Sequence, residues 1–575
     1  MKAVLAQLAR AGKISWLSYY FAEFVARYDN SAIDDVIALS AALVSEANRA
    51  GDVCIDIESH GGRPWFSDSA SDAEAIAPAA DEWLNLLENS TCVGLRQPLT
   101  LDSGRLYLNR YWHYESAVAE RILAKSRVAP VAQSTTADDA PGSGNPEQNA
   151  AVATASRHQF SVISGGPGSG KTSTVVRILL KLLQQDPDLR IGLAAPTGRA
   201  AARMMESIQR GLQSLETDTS LTGNLPRTAS TIHRLLGYRR DGYEHDRNNP
   251  LALDCIVIDE ASMIDLQLMY HLLEALSANA RLILLGDRDQ LASVAAGNVL
   301  GDITGHGQEP DQQTSPLSAS IALLRKNYRF SKDSAIGDLS ARVNQGDPDA
   351  VISMLRLGQG GLQWHDRFDD RVDAGALKPL LEAYRSVFEC NEPAEALQVF
   401  TETRMLCATN HGPLGVVELN RQISNALQSD PGSGDAGLFH GLPIMITRNQ
   451  HELSLYNGDT GVVWQTTEGL RACFADGDGG VRSLSLNRLS DYEPAWAITV
   501  HKAQGSEYDS VLLVLPEDAD NEVLTRELLY TAITRARKSF RLHGAERAIR
   551  AAVARLTRRR SGLAERLGWA RSSLD

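Results

Sequence analysis

From about residue 149 the chain alternates short, nearly unbroken apolar runs with amphipathic stretches. SVIS, IGLAA, CIVID and RLILLGD are the runs, and segments such as LQLMYHLLEAL between them keep helical spacing. Strands buried on both faces read as continuous apolar runs, so this rhythm predicts a parallel sheet with helices on both faces. A second series follows in RMLCAT, AWAITV, DSVLLVLP and SFRLHG, which predicts a second α/β unit in tandem. The units span 149–330 and 331–575, with 302–320 (DITGHGQEPDQQTSPLSAS) as a surface loop. Within the second, 438–494 breaks into short strands separated by Gly- and Asp-containing turns, the pattern of a small β-barrel or meander. Residues 1–120 mix helical periodicity (SAIDDVIALSAALVSEA) with a β-like piece, GRLYLNRYWHYE. Residues 121–148, dominated by SRVAPVAQSTTADDAPGSGNPEQ, are rich in Ala, Pro, Ser, Gly and Asp and are expected to form a linker.

Composition narrows the function classes. The 575 residues carry a formal net charge of −14, so nucleic acid could be held only by local grooves and not by a global field. The six cysteines show no CxxC spacing, which argues for buried small side chains in a reducing compartment and against zinc. Arg10 and Lys13 interrupt the N-terminal apolar positions, and no run approaches the ~20 apolar residues that span a bilayer. A cytoplasmic protein with no membrane partner is expected.

The chemistry begins at Gly165–Gly166–Pro167–Gly168–Ser169–Gly170–Lys171–Thr172, which fits G-x-x-x-x-G-K-[ST] between an apolar strand and an amphipathic helix. Glycines let backbone N–H groups curl around a β-phosphate, and the helix N-terminus adds positive potential. Lys171 would reach the β- and γ-phosphates and the Thr172 hydroxyl would reach Mg²⁺, with Ser173 completing the cofactor-binding run. In CIVIDEAS, Asp259 would hold Mg²⁺ and Glu260 would orient and deprotonate water. Adjacent acids after an apolar strand are common on solvated edges; the phosphate loop is what gives these two a meaning. After the next strand, Gln290 in GDRDQLASV could sense a γ-phosphate, while Asp289 or Ser293 could simply cap a helix.

These motifs, in this order, resemble a known family. Gln148, GGPGSGKT, APTGRAA, TIHRLLG, VIDEASM, GDRDQLASV, LRKNYRF, TVHKAQGSEYD and LLYTAITRARK follow the order of superfamily 1 helicases of the 5′→3′ class. Their wording is similar to the RecD family, the alpha subunits of the RecBCD enzyme (exodeoxyribonuclease V). DSGRLYLNRYW, CATNHGPLGVVELN and RRRSGLAE extend the resemblance beyond the motor. It implies two tandem RecA-like domains of the P-loop NTPase type, a small SH3-like β-barrel insertion in the second, and a mainly helical N-terminal domain that docks on partners. It also implies a 5′→3′ helicase driven by ATP and Mg²⁺, acting on single-stranded and duplex DNA with RecB and RecC subunits. The setting would be double-strand break repair by homologous recombination and degradation of linear duplex DNA.

Residue by residue, the resemblance implies that Gln148 reads the adenine edge and that Glu507 contacts the ribose. Arg329 and Arg535 would be arginine fingers from opposite sides of the nucleotide, an effect worth ~10³-fold or more in rate. Pro196, Thr197, Arg199, Thr231, His233, Thr499, His501 and Lys502 would hold the single strand, on the face opposite the nucleotide. Short hydroxyls and backbone amides suit phosphate contact without base discrimination. The stretch 237–250 (GYRRDGYEHDRNNP) could split a duplex or be an ordinary surface hairpin. The arginine-rich tail from 546 could bind DNA, bind a partner, or be solvated. No nuclease acid cluster is visible, and no helix-hairpin-helix module precedes residue 149, which favours a subunit over an autonomous helicase. A regulatory ATPase that gates a nuclease is a third reading, and a P-loop kinase a distant fourth.

Overall fold

A computed structural model describes residues 2–28, 34–66, 76–127, 145–214, 224–239, 242–305, 315–328, 334–366, 371–427, 437–476 and 480–570. Most of the expected linker, and Arg329, lie outside these ranges. The first α/β unit, here lobe 1, is a six-stranded parallel sheet. Across it run Ile321–Leu324, Phe160–Gly165, Arg281–Gly286, Cys255–Ile258, Ile191–Ala195 and Ser230–Thr231. The central strands are wholly buried because helices cover both faces, which is why their sequences show no alternation. Lobe 2 is a five-stranded parallel sheet ordered Leu362–His365, Ala536–His543, Tyr508–Val514, Thr403–Cys407 and Ala497–Thr499.

Between Thr403–Cys407 and Ala497–Thr499 the chain makes an antiparallel five-stranded sheet spanning 443–494. Its inner face shares one apolar core with lobe 2, where Trp496 stacks on Phe439 and lies tilted against Tyr384. The N-terminal unit holds the helices Trp16–Tyr28 and Asp34–Ala50 against a three-stranded antiparallel sheet. Its centre is Trp83, fully buried, edge-on to Trp65 at 4.8 Å and donating its indole N–H to Ser40 Oγ at 2.8 Å.

Four boundaries differ from expectation. Only Arg105–Leu108 of GRLYLNRYWHYE is a strand; Asn109–Ser126 is one helix. It therefore runs into the segment expected to be linker and seals onto lobe 1. Lys125, buried there, donates to the carbonyls of Ser277, Ala278 and Ala280 at 3.1, 3.3 and 2.7 Å, and burial pulls its pKa down to about 8. The linker also ends early, since Pro146–Arg157 is helical. The 302–320 segment is not all surface: Ser315 donates to the buried Leu567 carbonyl, and Leu317 is core.

The fourth difference is the basic tail: its helix Glu546–Ala554 packs into lobe 2, and the rest is not a free arm. After Ala554 it crosses to the N-terminal unit as a strap. Leu563, Leu567 and Trp569 enter the core shared by lobe 1 and the helix Asn109–Ser126. Glu115 of that helix, inaccessible to solvent, accepts from Ser561 Oγ (3.0 Å), the Gly562 N–H (2.9 Å) and Arg566 Nε (2.9 Å). Arg566 also reaches Asp102 at 2.5 Å, and Arg105 pairs with Glu565. The Val53 N–H donates to the Arg560 carbonyl and the Arg560 N–H to Asp52 Oδ1, both at 2.8 Å. The tail's charge is thus largely spent inside the molecule.

Removing one side of a buried ionic cluster strands the other, at about 3–5 kcal/mol. Glu115→Ala should therefore expose 556–570 to limited proteolysis and lower the melting temperature by several degrees. Arg558→Ala, on the exposed side of the strap, should change neither.

Candidate active site

The phosphate loop leaves the strand Phe160–Gly165 and enters the helix Lys171–Gln185. Gly168 and Gly170 take φ of +83° and +85°, a left-handed conformation that a side chain resists. The loop has no spare room either: a Cβ on Gly166 would lie 2.7 Å from the Tyr530 hydroxyl, which comes from lobe 2. Lys171 Nζ rests on the carbonyls of Gly165 and Gly166. Lys171, Thr172 and Asp259 line one cleft with Val175, Met204, Ile208 and Leu285. Ser173 turns back to the Gly170 carbonyl at 2.8 Å. Gln148 is buried on the first turn of Pro146–Arg157 with its amide against Gly170, while Ser169 Oγ in the same loop is buried with no hydrogen-bond partner.

The acids sit at the carboxyl edge of the adjacent strands. Asp259 Oδ1 accepts the Glu260 N–H at 2.9 Å, and Glu260 holds a φ of +52°, a strained conformation for a residue with a Cβ. Burial, then the neighbouring Glu260 charge, push the Asp259 carboxyl up to about 6. Gln290 donates to Asp287 Oδ2 at 3.0 Å, and its own Oε1 is buried with no hydrogen-bond partner. The donors present (ammonium, loop N–H groups, hydroxyl, two carboxylates) and these orphaned polar atoms fit a Mg²⁺–nucleoside triphosphate. Among the described residues no cluster of His, Cys, Asp or Glu suits a metal held by protein alone.

Lobe 2 closes this cleft, chiefly through a residue the motifs did not single out. Tyr530, on the helix Arg526–Ile533, donates to Asp287 Oδ2 at 3.0 Å; burial and that acid hold its phenol protonated. Thr531 Oγ1 accepts the Leu291 N–H at 3.0 Å, and the Gln504 amide donates to the Leu291 carbonyl at 2.8 Å. Arg203 of lobe 1 bonds the Gly505 carbonyl and pairs with Glu507 at 3.3 Å. Glu507, expected at the ribose, is thus part of the lobe-to-lobe seam. Arg535 bonds within lobe 2, donating to the carbonyls of Thr531 and Ser506 at 3.1 Å each. The chain leading to Arg329 is seated on the phosphate loop: the Tyr328 N–H reaches the Gly168 carbonyl at 2.7 Å, and the Asn327 amide reaches that of Pro167 at 2.8 Å.

The residues expected to hold a strand share an edge with the nucleotide cleft and not an opposite face. All the sheet strands are parallel, so Thr197 and Thr231 follow the same carboxyl edge as the phosphate loop. The strand Ile191–Ala195 lies three strand positions from Phe160–Gly165, roughly 14 Å away. Pro196 precedes Thr197 at that edge. Thr197, Thr231 and Thr499 each accept a backbone N–H three residues on, at 3.2, 3.2 and 3.3 Å, and so cap short turns. Lys502 is paired with Glu493 of the inserted sheet at 2.5 Å. Arg199 is turned into the seam beside Tyr508 and Asp459, where burial lowers its pKa. Burial also lowers His233 and His501, keeping both imidazoles neutral. His233 lies edge-on to Tyr238 and tilted against Tyr243, at 6.1 and 6.2 Å, on the hairpin Tyr238–Arg239/Gly242–Tyr243.

Metal binding needs the ionised carboxylate, and Asp259 takes up a proton as pH falls through about 6. Mg²⁺–ATP affinity, followed by a fluorescent analogue, should drop about tenfold between pH 7.5 and pH 5, and Asp259→Asn should flatten that profile. Tyr530→Phe removes one buried hydrogen bond, worth about 1 kcal/mol, and should lower kcat for ATP about fivefold with little change in melting temperature.

Comparison with known proteins joins the three parts of the chain. Residues 10–107 match the family "RecBCD enzyme subunit RecD, N-terminal domain", 148–296 an AAA domain, and 494–542 a UvrD-like helicase C-terminal domain. The RecBCD enzyme subunit RecD of Mycolicibacterium smegmatis is 39% identical over 93% of this chain and 94% of its own length. That of Haemophilus influenzae is 33% identical over 99% of both. The ATP-dependent RecD2 DNA helicase of Deinococcus radiodurans is 31% identical over 86% of this chain, but the match covers only 63% of that longer protein. A nucleotide cleft shut by a second parallel sheet, in a chain similar to RecD along nearly its whole length, leaves one assignment: this protein belongs to the RecD family of RecBCD enzyme subunits and is an ATP-dependent DNA helicase.

Proposed function

We propose that this helicase moves 5′→3′ along single-stranded DNA as the alpha subunit of a heterotrimer with RecB- and RecC-type partners. The observation that carries the motor reading is the seam. The Asp287–Leu291 segment, which lies beside Gly166 of the phosphate loop, meets Tyr530, Thr531 and Gln504 of lobe 2 within hydrogen-bond distance. A change of contact at Gln290 therefore reaches residues flanking the strand. Bound Mg²⁺–ATP supplies the phosphoanhydride whose cleavage drives the cycle. Lys171 and the loop N–H groups neutralise phosphate charge, Thr172 and Asp259 hold the metal, and Glu260 orients water and accepts its proton. Arg329 and Arg535 stabilise transition-state charge. Gln148 sits where it would meet an adenine edge, and the inserted 443–494 sheet is of the SH3-like kind.

The single strand lies along the line from Pro196, Thr197 and Thr231 to Thr499, His501 and Lys502. Support comes from Gly505, where an added Cβ would touch Ala200 at 3.6 Å, so the two half-sites are continuous. The N-terminal unit is the docking domain. Trp16, Tyr20, Phe24 and Tyr28 fall at four-residue spacing on one helix face and are between 48% and 61% exposed. A contiguous apolar stripe of that kind marks a protein interface. Participation in double-strand break repair and linear-duplex degradation follows from this reading.

Lys171→Gln should abolish ATP hydrolysis and unwinding while leaving assembly with co-expressed partners intact on gel filtration. On tailed duplexes the unaltered protein should open 5′-tailed and not 3′-tailed substrates. Preference for a 3′ tail would reverse the polarity, and full unwinding by the isolated chain would favour an autonomous helicase.

A further inference from the structure

The segment 287–297 carries Gln290 at one end; its other end is held by lobe 1, where the Ala296 carbonyl accepts the Leu266 N–H at 3.2 Å, and also by the N-terminal unit and strap. The Gly297 N–H donates to the Gly51 carbonyl of the N-terminal unit at 2.9 Å. The Ala295 carbonyl accepts from Arg559 of the strap at 2.5 Å, and the same guanidinium reaches the Gly51 carbonyl at 3.5 Å. Gly51 has a φ of +106°, and a Cβ there would lie 2.6 Å from Arg559 Cζ. Glycine is required twice over, by conformation and by the guanidinium lying against its backbone. Between the two ends the segment is braced: Ser293 Oγ donates to the carbonyls of Ala295 (3.0 Å) and Gly297 (3.2 Å). Its middle is tied to lobe 2 through Leu291, which bonds Thr531 and Gln504. Burial, with the Arg559 charge adding to it, lowers the pKa of His501.

Arg559 differs from its neighbours on the strap. Arg566 spends its charge on carboxylates. Arg559 instead makes its side-chain hydrogen bonds to backbone carbonyls of two separate units, and a single terminal nitrogen, Nη1, bridges the two. We propose that Arg559 is a positioning residue: it fixes the far end of the γ-phosphate-sensing segment against Gly51, so that coupling between Gln290 and the strand-contacting motif depends on the N-terminal unit and strap being seated. This rests on the sensing role given to Gln290 above. It makes the N-terminal unit a part of the motor's transmission as well as a docking platform.

The test uses the full chain assembled with its partners and oligo(dT) as the DNA probe. Arg559→Ala should cut the stimulation of ATP hydrolysis by oligo(dT) about tenfold. Hydrolysis without DNA should change less than twofold, and oligo(dT) affinity by anisotropy should be unchanged. Gly51→Ala, which must push the same guanidinium aside from another unit, should reproduce the loss. Arg559→Lys should restore part of it, and the double variant Gly51→Ala/Arg559→Ala should be no worse than either single. Wild-type stimulation in Arg559→Ala, or losses that multiply in the double variant, would overturn the proposal. Should Arg559→Ala not fold, wild-type stimulation in Gly51→Ala decides against it in the same way. An unaltered complex whose hydrolysis ignores DNA would overturn the motor reading itself, and this inference with it.

Discussion

The structure turns on a hydrogen bond between the two lobes, from the Tyr530 hydroxyl to Asp287, made directly over Gly166. Two parallel sheets each end in a fringe of loops at their carboxyl edges, and such fringes are where α/β proteins bind ligands. Here the fringes face each other. The phosphate loop must be glycine at 166 because the phenol occupies the space a methyl group would need. The buried acid that accepts from Tyr530 also accepts from Gln290, so the contact joining the lobes and the amide that faces the cleft share one carboxylate. The phosphate loop's surroundings and the contact between the lobes are thereby linked through atoms in contact, with no long relay.

Charge is organised to the same end. A molecule with net charge −14 has little long-range pull on DNA, and its motif cations are already engaged. Lys502 faces Glu493, Arg203 faces Glu507, and Arg199 lies in the seam. Half-exposed pairs of this kind contribute little stability in water. They do hold long side chains in fixed places at the junction of lobe 1, lobe 2 and the inserted sheet.

The two chain ends complete the architecture. The strap carries the last helical residues of lobe 2 back to the N-terminal unit, where Glu115, Asp102 and Asp52 receive it. Lobe 2 is thus joined to lobe 1 by a second, non-covalent route, through the unit that matches the RecD N-terminal domain. A basic tail that looks suited to nucleic acid is, in three dimensions, an internal clasp.

The local part of this could be read in the sequence. Continuous apolar runs specify buried parallel strands, glycines at 168 and 170 specify a left-handed turn, and Asp259 and Glu260 after a strand specify acids at a sheet edge. Each depends on neighbours within a few residues, so pattern and spacing suffice. Tertiary structure alone decided which strand edges meet. It placed Tyr530 over Gly166 from more than 300 positions away, paired Glu507 with Arg203 across the lobes, and put Thr197 and Thr231 on the same sheet edge as the phosphate loop. It also turned residues 121–126 into a helix sealing lobe 1 and the arginine run into a strap. These are contacts between segments remote in the chain. Their partners are set by how whole sheets and helices pack, which no local periodicity encodes.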